Sequence, residues 1–382
     1  MTASRLAGLG TTIFASTTAR ADALGAVNLG QGVPEGAPPP RMVEVASEAM
    51  AAGLNQYVGL GGLADLRTAV CEDLQARLGL TYDPDTEVLV TYGATEAVSA
   101  AVLALCDPGD ELLVLDPAYD SYAAAAAFAG ARAVPVPLDL TGDGPVLDPT
   151  VLEAAVTSRT RALLLNSPHN PSGRALSEHD LAAVAEVCRR HDLTAITDEV
   201  YEHLLHRGRR HVSLAAAPGM RERTLRVSSA GKTFTATGWK VGWATGPAAL
   251  VTAVRTVKQF LTFTGNGPFQ AAVAHGIRSE QAWVRGNAAA LERRRDLLAT
   301  GLRSVGLRVL PDDGGYFLLA DTASVGKPDA AAYAERLMVD KGVAAIPASA
   351  FTLVPGRAAG LLRFAYCRGD DAVAEAVRRL QG

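Results

Sequence analysis

The sequence predicts an α/β fold in which a mostly parallel sheet is covered by helices on both faces. Short apolar runs alternate with longer segments of helical periodicity between about residues 87 and 245. The runs are apolar at successive positions, which is typical of strands buried on both faces. From about residue 279 the pattern changes to a long charged helix followed by short strands, which predicts a second, smaller α+β domain. The length of 382 residues agrees with about two to three domains of ~150 residues each.

Seven apolar runs are the predicted strands of the larger sheet. They are residues 87–91, 111–115, 133–138, 161–166, 194–198, 224–228 and 241–245. The run at 133–138 contains two prolines, which donate no hydrogen bond to a neighbouring strand, so it should lie at the sheet edge or be irregular. A helix is expected over 95–105, and another over 177–191 that opens with Ser177 and Asp180 in a capping-box variant. The smaller domain should contain helices at 283–304 and 329–341 and strands at 307–310, 316–320, 343–347 and 361–365.

Composition and charge exclude several classes of function. The net charge is −4 and aromatic residues make up 5% of the chain, so no basic patch or stacking surface for nucleic acid is expected. The most apolar stretches are about half as long as a membrane span. We therefore expect neither a nucleic-acid nor a membrane partner. The first 26 residues are expected to form an arm of the mature protein rather than a leader.

The cysteines and histidines predict no metal site. The four cysteines, at positions 71, 106, 188 and 367, are too widely spaced for a metal-ligand motif, and a core of this size needs no disulfide. They are expected to be small buried residues of a cytoplasmic protein. The seven histidines contain no pair at i, i+4 spacing.

Polar, glycine or aromatic residues directly follow five of the predicted strands. These segments are residues 92–96, 116–119, 166–173, 198–201 and 228–232. Ligands of parallel sheets bind at the carboxyl ends of the strands. Together, the five segments predict one active site at that edge.

Three residues in these segments favour chemistry on a carbonyl compound. Lys232 follows a buried strand, where desolvation would lower the pKa of its amine and make it a nucleophile able to form a Schiff base. Asp198 ends a buried strand and would need a cationic partner, such as a protonated ring nitrogen. Asn170 lies between two prolines that would aim its amide. Taken singly, each is better explained by an ordinary structural role: a solvated loop lysine, a capping or salt-bridged aspartate and a turn-forming asparagine.

The segments NSPHNPSG at 166–173, DEVY at 198–201 and SSAGKTFTATGWKVGW at 228–243 resemble the fold type I aminotransferases of class I/II, which depend on pyridoxal 5′-phosphate. The spacings also fit, because Asp198 lies 28 residues after Asn170 and Lys232 lies 34 residues after Asp198. Segments at 28–32, 55–57 and 362–364 extend the similarity over nearly the whole chain. Within the family, the chain is most similar to the kynurenine/glutamine aminotransferases and the bacterial N-succinyldiaminopimelate aminotransferases.

The resemblance implies an architecture and an assembly. The fold would be a large domain with a mostly parallel seven-stranded sheet between helices, plus a smaller α+β domain. Residues 1–40 would form an N-terminal arm and part of the small domain, 41–278 the large cofactor-binding domain, and 279–382 the small C-terminal domain. The protein would be a homodimer with shared active sites.

The resemblance also implies roles at the cofactor ring. Lys232 would bind pyridoxal 5′-phosphate covalently and then act as the base that moves the substrate proton. Asp198 would keep the ring nitrogen protonated, which makes the ring an electron sink. Asn170 and Tyr201 would bind the ring oxygen, and Tyr119 would stack on the ring.

Further residues would hold the cofactor phosphate. The backbone amides of Ala94 and Thr95, the Ser229 hydroxyl and the Lys240 ammonium would surround it. Many members of the wider family have arginine in place of Lys240, although lysine also neutralises a phosphate and is typical of the kynurenine group. Tyr57 would reach the phosphate of the neighbouring subunit.

A last set of residues would bind the substrate. Arg363 would pair with the α-carboxylate through its planar fork, and the Gly32 backbone and Asn170 would approach the same group. Phe14 and Phe263 are candidates to line the side-chain pocket, as is Asn266. No arginine occurs between residues 263 and 275, which argues against an aspartate-specific enzyme.

The implied function is transfer of an amino group from an L-amino acid to a 2-oxo acid by a ping-pong mechanism. Kynurenine, glutamine or methionine, and N-succinyldiaminopimelate-like donors all fit. A β-lyase acting on cysteine S-conjugates is the alternative, since the same lysine and electron sink would serve it. A regulator in which this fold is joined to a DNA-binding domain would need a preceding winged-helix segment, whereas here the family pattern begins by Asn28.

Overall fold

Thirteen α-helices and thirteen β-strands form the parts of the chain that the computed structural model describes, which are residues 3–6, 9–10, 12–140 and 145–382. The helices are α1 Ile13–Leu24, α2 Pro40–Ala51, α3 Ala64–Leu78, α4 Gly93–Leu105, α5 Ser121–Ala129, α6 Pro149–Ala154, α7 Glu178–Arg190, α8 Ala230–Thr233, α9 Ala248–Leu261, α10 Gly267–Ser279, α11 Gln281–Ser304, α12 Ala330–Lys341 and α13 Asp370–Gln381. The strands are β1 Val27–Asn28, β2 Val88–Thr91, β3 Glu111–Asp116, β4 Arg132–Pro137, β5 Thr160–Asn166, β6 Thr194–Asp198, β7 Thr224–Ser229, β8 Gly242–Thr245, β9 Arg308–Val309, β10 Phe317–Asp321, β11 Val343–Ala344, β12 Ile346–Pro347 and β13 Leu361–Ala365.

The larger sheet has seven strands in the order β2-β8-β7-β6-β5-β3-β4, and only β8 runs antiparallel to its neighbours. Alternate residues of one strand enter different cores. Leu112 and Val114 pack with α4 and α5 on one face, whereas Leu113 and Leu115 pack with α7 on the other. Every residue of β3 is buried as a result, which is why the strand is apolar along nearly its whole length. The predicted α/β class is confirmed.

The proline-containing strand lies at the edge of the sheet, as its sequence predicted. β4 pairs with β3 alone and carries Pro135 and Pro137. The other predicted strands agree to within one residue at each end. Helix α7 also begins as predicted, since Ser177 and Asp180 form a reciprocal capping box.

The smaller sheet is antiparallel, in the order β12-β13-β10-β9, and packs against α11, α12 and α13. The run predicted as one strand at 343–347 is two short strands, because residues 343–344 pair with β1 and residues 346–347 pair with β13. Pairing of β1 with β11 joins the segment before residue 40 to the C-terminal part of the chain. The three domain ranges remain a prediction. Among the described residues, no helix combines the length and apolar character that crossing a bilayer requires.

Candidate active site

Three neighbouring strands of the larger sheet end at one cavity of about 340 Å³. Their last residues are Asn166 of β5, Asp198 of β6 and Ser229 of β7, and all three line it. Twelve of the fifteen predicted site residues line the same cavity. They are Phe14, Gly32, Ala94, Thr95, Tyr119, Asn170, Asp198, Tyr201, Ser229, Lys232, Lys240 and Arg363.

Asp198 is a buried carboxylate without a cationic partner among the described ion pairs. Its Oδ2 accepts a 2.7 Å hydrogen bond from the Tyr122 hydroxyl, and its Oδ1 accepts a 3.3 Å bond from the Val200 amide. Burial raises the pKa of Asp198 to about 6, although the Tyr122 hydrogen bond and the Lys232 charge oppose this effect. The site therefore favours a further cation or donor next to this carboxylate.

Lys232 faces the cavity from the short helix α8, directly after β7. Its ammonium lies 5.6 Å from the centre of the Tyr316 ring. Burial lowers the pKa of Lys232, while the nearby Asp198 carboxylate acts in the opposite direction. An amine with a lowered pKa is available in its neutral, nucleophilic form.

Asn166 joins two of the predicted site residues. Its Nδ2 donates a 2.7 Å hydrogen bond to the Asp198 carbonyl, and its Oδ1 accepts a 2.6 Å bond from the Asn170 amide. These bonds set the distance between the two strand ends. Our sequence reasoning included Asn166 in a motif but assigned it no role.

Arg363 is a buried guanidinium in the middle of β13. Its Nη1 donates to Asn170 Oδ1 at 2.9 Å and its Nη2 donates to the Gly30 carbonyl at 2.5 Å. Its Nε has no hydrogen-bond partner, and no described carboxylate forms an ion pair with it. The rings of Phe317 and Phe351 lie 4.2 Å and 4.5 Å from its Cζ. Burial lowers the pKa of Arg363 to about 10, so the guanidinium is still charged at neutral pH. Because no carboxylate neutralises it, this charge can bind an anion that enters the cavity.

The amino end of α4 forms an anion-binding corner of the cavity. Gly93 begins this helix at a positive φ of 74°, and a Cβ at that position would lie 3.4 Å from Lys240 Nζ. Gly242 on the adjacent strand is also required, since a Cβ there would lie 2.5 Å from the Gly93 carbonyl carbon. The close approach of these backbones brings the amides of Ala94 and Thr95 to the cavity, where a helix amino terminus attracts a phosphate.

Two tyrosines that sequence reasoning left out belong to the site: Tyr122 lines the cavity, and Tyr316 packs behind Tyr201. Tyr122 binds Asp198 as described above, and its ring meets Tyr119 edge-on with centroids 5.8 Å apart. Tyr316 packs edge-on against Tyr201 at 5.1 Å and donates a 2.9 Å hydrogen bond to the Gly32 carbonyl. Tyr122 follows Tyr119 by three residues, and this spacing was the signal that the sequence offered.

Gly32 lies where the chain passes close to an aromatic ring. A Cβ at Gly32 would come within 2.6 Å of the Phe317 Cζ, so a side chain there would displace the ring. Phe14, on α1, meets Phe351 edge-on at 5.8 Å. The N-terminal arm thus contributes to the wall next to Arg363.

Three predicted site residues, Tyr57, Phe263 and Asn266, lie outside the cavity of this chain. The rings of Tyr57 and Phe263 meet edge-on with centroids 5.2 Å apart at the surface, where Tyr57 is 77% exposed. Asn266, which precedes α10, donates a 3.1 Å hydrogen bond to the Trp239 carbonyl. Their roles remain predictions.

A buried charge network supports the strand end that carries Asp198. Arg226 Nη2 lies 2.7 Å from Glu199 Oε2 and 2.9 Å from Glu202 Oε2, and His211 Nε2 lies 2.7 Å from Glu199 Oε2. These two glutamates and the histidine are the one His/Cys/Asp/Glu group in the described residues with metal-like spacing. The Arg226 guanidinium already supplies the positive charge between the glutamates, so it takes the place of a cation.

Comparisons with known proteins agree with this geometry. A family model described as "Aminotransferase class I and II" matches residues 25–380. A relative named "Probable N-succinyldiaminopimelate aminotransferase DapC", from Mycobacterium tuberculosis, is 49% identical and aligns with 100% of this chain and 98% of its own. Human kynurenine–oxoglutarate transaminase 1 is 39% identical, with 86% of this chain and 85% of its own covered.

Solved structures show the same fold. N-Succinyldiaminopimelate aminotransferase from Mycobacterium tuberculosis has a TM-score of 0.97 at 49% identity, covering 100% of this chain and 99% of its own. An Escherichia coli protein identified as a methionine aminotransferase has a TM-score of 0.95 at 37% identity, covering 100% and 99%. These names support amino-group transfer and give no support to the β-lyase alternative. The chain belongs to the class I and II aminotransferases, with the fold type I architecture, and it is an enzyme that transfers amino groups.

Proposed function

We propose that this aminotransferase uses pyridoxal 5′-phosphate to move the amino group of an L-amino acid to a 2-oxo acid. The family is known for this cofactor. The observation that carries the proposal is the placement of Lys232, Asp198 and Arg363 around one cavity. Asp198 and Arg363 are buried and Lys232 is half-buried, and none of the three has an ion-pair partner among the described residues. A free amine, an unpaired carboxylate and an unpaired guanidinium match an aldehyde, a ring cation and a substrate carboxylate.

The residues that line the cavity fit the parts of the cofactor. Asp198 would bind the protonated ring nitrogen, Asn170 and Tyr201 the ring oxygen, and Tyr119 the ring face. Ala94, Thr95, Ser229 and Lys240 would hold the phosphate at the amino end of α4. When bound, the cofactor supplies an electron sink for the pair left on the substrate α-carbon. The acidic Asp198 strengthens this sink by keeping a positive charge on the ring.

Lys232 has two tasks that its environment explains. As a neutral amine it would bind the cofactor aldehyde covalently and so anchor the cofactor in the cavity. As a free amine it would act as the base that removes the proton from the substrate α-carbon and as the acid that delivers it again in the reverse half-reaction. Burial favours both tasks, since it lowers the pKa of the amine towards the working pH.

Arg363 orients the amino acid. Its guanidinium lines the cavity next to the Asn170 amide, and a bidentate contact with the α-carboxylate would fix the α-carbon relative to Lys232. Every amino acid and every 2-oxo acid carries this carboxylate, so the same contact serves both half-reactions. A reaction that binds different substrates one after the other requires such a shared contact.

The cavity favours a donor whose side chain carries no negative charge. Its described lining contains three cationic side chains, which are Lys232, Lys240 and Arg363, and each has a task above. Phe14 and Val33 leave apolar surface on the side-chain wall. This wall suits kynurenine, methionine or glutamine, whereas a donor such as N-succinyldiaminopimelate would need a cation from outside this chain's cavity.

We further propose a cytoplasmic homodimer. The aromatic residues Tyr57, Phe260 and Phe263 are 77%, 81% and 44% exposed, and such a cluster favours burial against a second copy. There Tyr57 would reach the partner's phosphate and Phe263 its side-chain pocket. The four cysteines are unpaired, three of them buried, which favours a reducing compartment.

A donor panel tests the proposal. The protein loaded with pyridoxal 5′-phosphate is mixed with one amino acid at a time, and the cofactor absorbance is followed without any acceptor. We expect a spectral change with uncharged donors, reversed by 2-oxoglutarate or pyruvate. Release of pyruvate and ammonia from a cysteine conjugate, without reversal by an oxo acid, would instead indicate the lyase. Absence of any spectral change with every donor would refute amino-group transfer.

A further inference from the structure

A loop of the large sheet is tied to the segment that lies against Arg363. Asp116, the last residue of β3, accepts hydrogen bonds from the Thr352 hydroxyl at 2.5 Å and from the Leu353 amide at 2.6 Å. Two residues later, the Ala118 amide donates a 2.6 Å bond to the Phe351 carbonyl. Three hydrogen bonds therefore join two parts of the chain that are 236 residues apart at Asp116 and Thr352.

The Asp116 carboxylate is held entirely by this contact. Its side chain is completely buried, and within the described residues the nearest cation is Arg357, whose Nε lies 3.7 Å from Oδ2. A buried carboxylate costs free energy unless donors surround it. The hydrogen-bond donors and the cation that face it all belong to residues 352–357. The Asp116 carboxylate therefore holds this segment in one place against the end of β3.

This segment carries a ring that contacts the predicted substrate arginine. The Phe351 centroid is 4.5 Å from the Arg363 Cζ, and Phe351 also meets Phe14 edge-on. An aromatic ring at this distance attracts a guanidinium and limits its rotation. The hydrogen bonds of Arg363 to Asn170 and Gly30 leave its Nε side without a polar restraint.

We propose that Asp116 and Thr352 are positioning residues for substrate binding. By holding Phe351 against Arg363, they fix the plane in which the guanidinium meets the α-carboxylate. This inference rests on the proposed function, in which Arg363 binds that carboxylate. Neither residue lines the cavity, so each acts through Phe351 and not on the cofactor.

A positioning role changes the affinity for the substrate carboxylate alone, whereas a general structural role would also change the cofactor affinity and the rate of the chemical step. Loss of the tie loosens the Arg363 guanidinium and weakens every ligand that carries the carboxylate. Lys232, Asp198 and Lys240 lie on other elements. The Thr352 variants also leave in place the backbone bond of Phe351 to Ala118, which precedes Tyr119. These variants should therefore keep the cofactor affinity and the rate of the chemical step. The expected signature is a raised KM for all amino acids alike at unchanged kcat and unchanged cofactor affinity.

The experiment compares Thr352→Val, which has nearly the same shape without the hydroxyl, with Thr352→Ser, which keeps the hydroxyl. The holoenzymes are assayed with three donors, and the affinity for 3-phenylpropionate, which carries a carboxylate but no amine, is measured by calorimetry. Thr150→Val is the matched control, because the Thr150 hydroxyl donates to Asp148 at 2.7 Å on the surface. We expect Thr352→Val to weaken all these ligands about five- to tenfold, the size of one lost aromatic–guanidinium contact. Thr352→Ser and Thr150→Val should stay within about twofold of the wild type.

Arg363→Lys and Phe351→Leu complete the test. Arg363→Lys should weaken carboxylate binding more than Thr352→Val, and Phe351→Leu should match Thr352→Val. If Arg363→Lys weakens binding but Thr352→Val and Phe351→Leu do not, the positioning role is wrong and the proposed function stands. If Arg363→Lys itself has no effect, the carboxylate assignment fails and the positioning role fails with it. Equal loss in Thr352→Val and Thr352→Ser would also overturn it. Asp116→Asn changes the acceptor of the same hydrogen bond and should likewise weaken the binding of every ligand that carries the carboxylate.

Discussion

The Tyr122 hydroxyl donates a 2.7 Å hydrogen bond to the Asp198 carboxylate deep in the cavity wall. Both residues are buried, and Asp198 Oδ1 is left with a longer 3.3 Å bond from the Val200 amide. The tyrosine therefore stabilises the ionised form of the carboxylate that is proposed to bind the cofactor ring. It also holds the carboxylate in one orientation.

Replacing Tyr122 by phenylalanine should weaken this support. The hydrogen bond lowers the pKa of Asp198, so its loss should raise that pKa above about 6 and move the acid limb of cofactor binding to higher pH. A hydrogen bond to a charged group contributes about 1.5–3 kcal/mol, so the affinity for pyridoxal 5′-phosphate near neutral pH should fall about tenfold or more. The measurement is the dissociation constant of the cofactor between pH 5 and 8.

Tyr82→Phe is the matched control for Tyr122→Phe. The Tyr82 hydroxyl is also buried, but it has no hydrogen-bond partner in the described parts of the chain. This variant should keep the cofactor affinity of the wild type. If Tyr122→Phe behaves like Tyr82→Phe, the hydrogen bond to Asp198 has no role in cofactor binding.

The cofactor-free protein should be stabilised by Asp198→Asn, and only above acidic pH. Burial raises the pKa of Asp198 to about 6, whereas an aspartate in the unfolded chain titrates near ~4. The folded form thus binds this proton more tightly, so wild-type stability falls as the pH rises from about 4 to about 6. Asparagine removes that cost, which amounts to up to about 3 kcal/mol.

Urea unfolding of both cofactor-free proteins at pH 4.5 and pH 7.5 measures this effect. The advantage of the asparagine variant should be present at the higher pH and small at the lower. Equal differences at both pH values would show that Asp198 has no raised pKa. Addition of pyridoxal 5′-phosphate should stabilise the wild type far more than Asp198→Asn.

Gly93→Ala should weaken binding of the phosphate group. The position has a φ of 74°, and its Cβ would lie 3.4 Å from Lys240 Nζ at the amino end of α4. A non-glycine residue in this conformation costs roughly 1–2 kcal/mol, which the chain can relieve by shifting the first turn away from the phosphate. The dissociation constant of pyridoxal 5′-phosphate should rise about tenfold, while that of unphosphorylated pyridoxal should barely change.

Gly109→Ala is the control for backbone strain alone. Gly109 also has a positive φ, of 93°, and a Cβ there meets nothing within 4 Å. This variant should lose stability but keep its affinity for both compounds. Equal weakening of pyridoxal and pyridoxal 5′-phosphate by Gly93→Ala would contradict a phosphate site at α4.

Much of the fold was predictable because the strands of the larger sheet are buried on both faces. A continuous apolar run such as 112–115 leaves little room for another interpretation, and two prolines identified the edge strand. Helices α2 and α10 were not predicted individually. They pack against each other through small residues such as Ala46 and Ala274, whose pattern is weak in a chain rich in alanine.

Site prediction worked where the residues follow strands and was incomplete where contacts join distant segments. Asp198 could be selected because it ends a buried run, and Lys232 because it follows one within three residues. Tyr122 contacts a residue 76 positions away, and Asp116 contacts one 236 positions away, so neither contact is visible in local sequence.

Mixed subunits test whether active sites are shared. A Lys232→Ala homodimer should be inactive, and a Tyr57→Phe homodimer should need more pyridoxal 5′-phosphate for the same activity. In the heterodimer of these two chains, one site combines the intact Lys232 of one protomer with the intact Tyr57 of its partner. At limiting cofactor, a purified heterodimer should therefore show one site of wild-type affinity. A heterodimer with only the weak affinity of Tyr57→Phe would place Tyr57 outside the partner's site.

Reduction of the loaded enzyme with borohydride tests the central claim most directly. Borohydride makes the bond between the cofactor and an amine permanent, and peptide mass spectrometry then locates it. We predict that the added mass lies on Lys232 alone and disappears in Lys232→Ala, while Lys341→Ala keeps it. Labelling of another lysine, or no labelling of protein that has taken up the cofactor, would contradict the assignment of this amine.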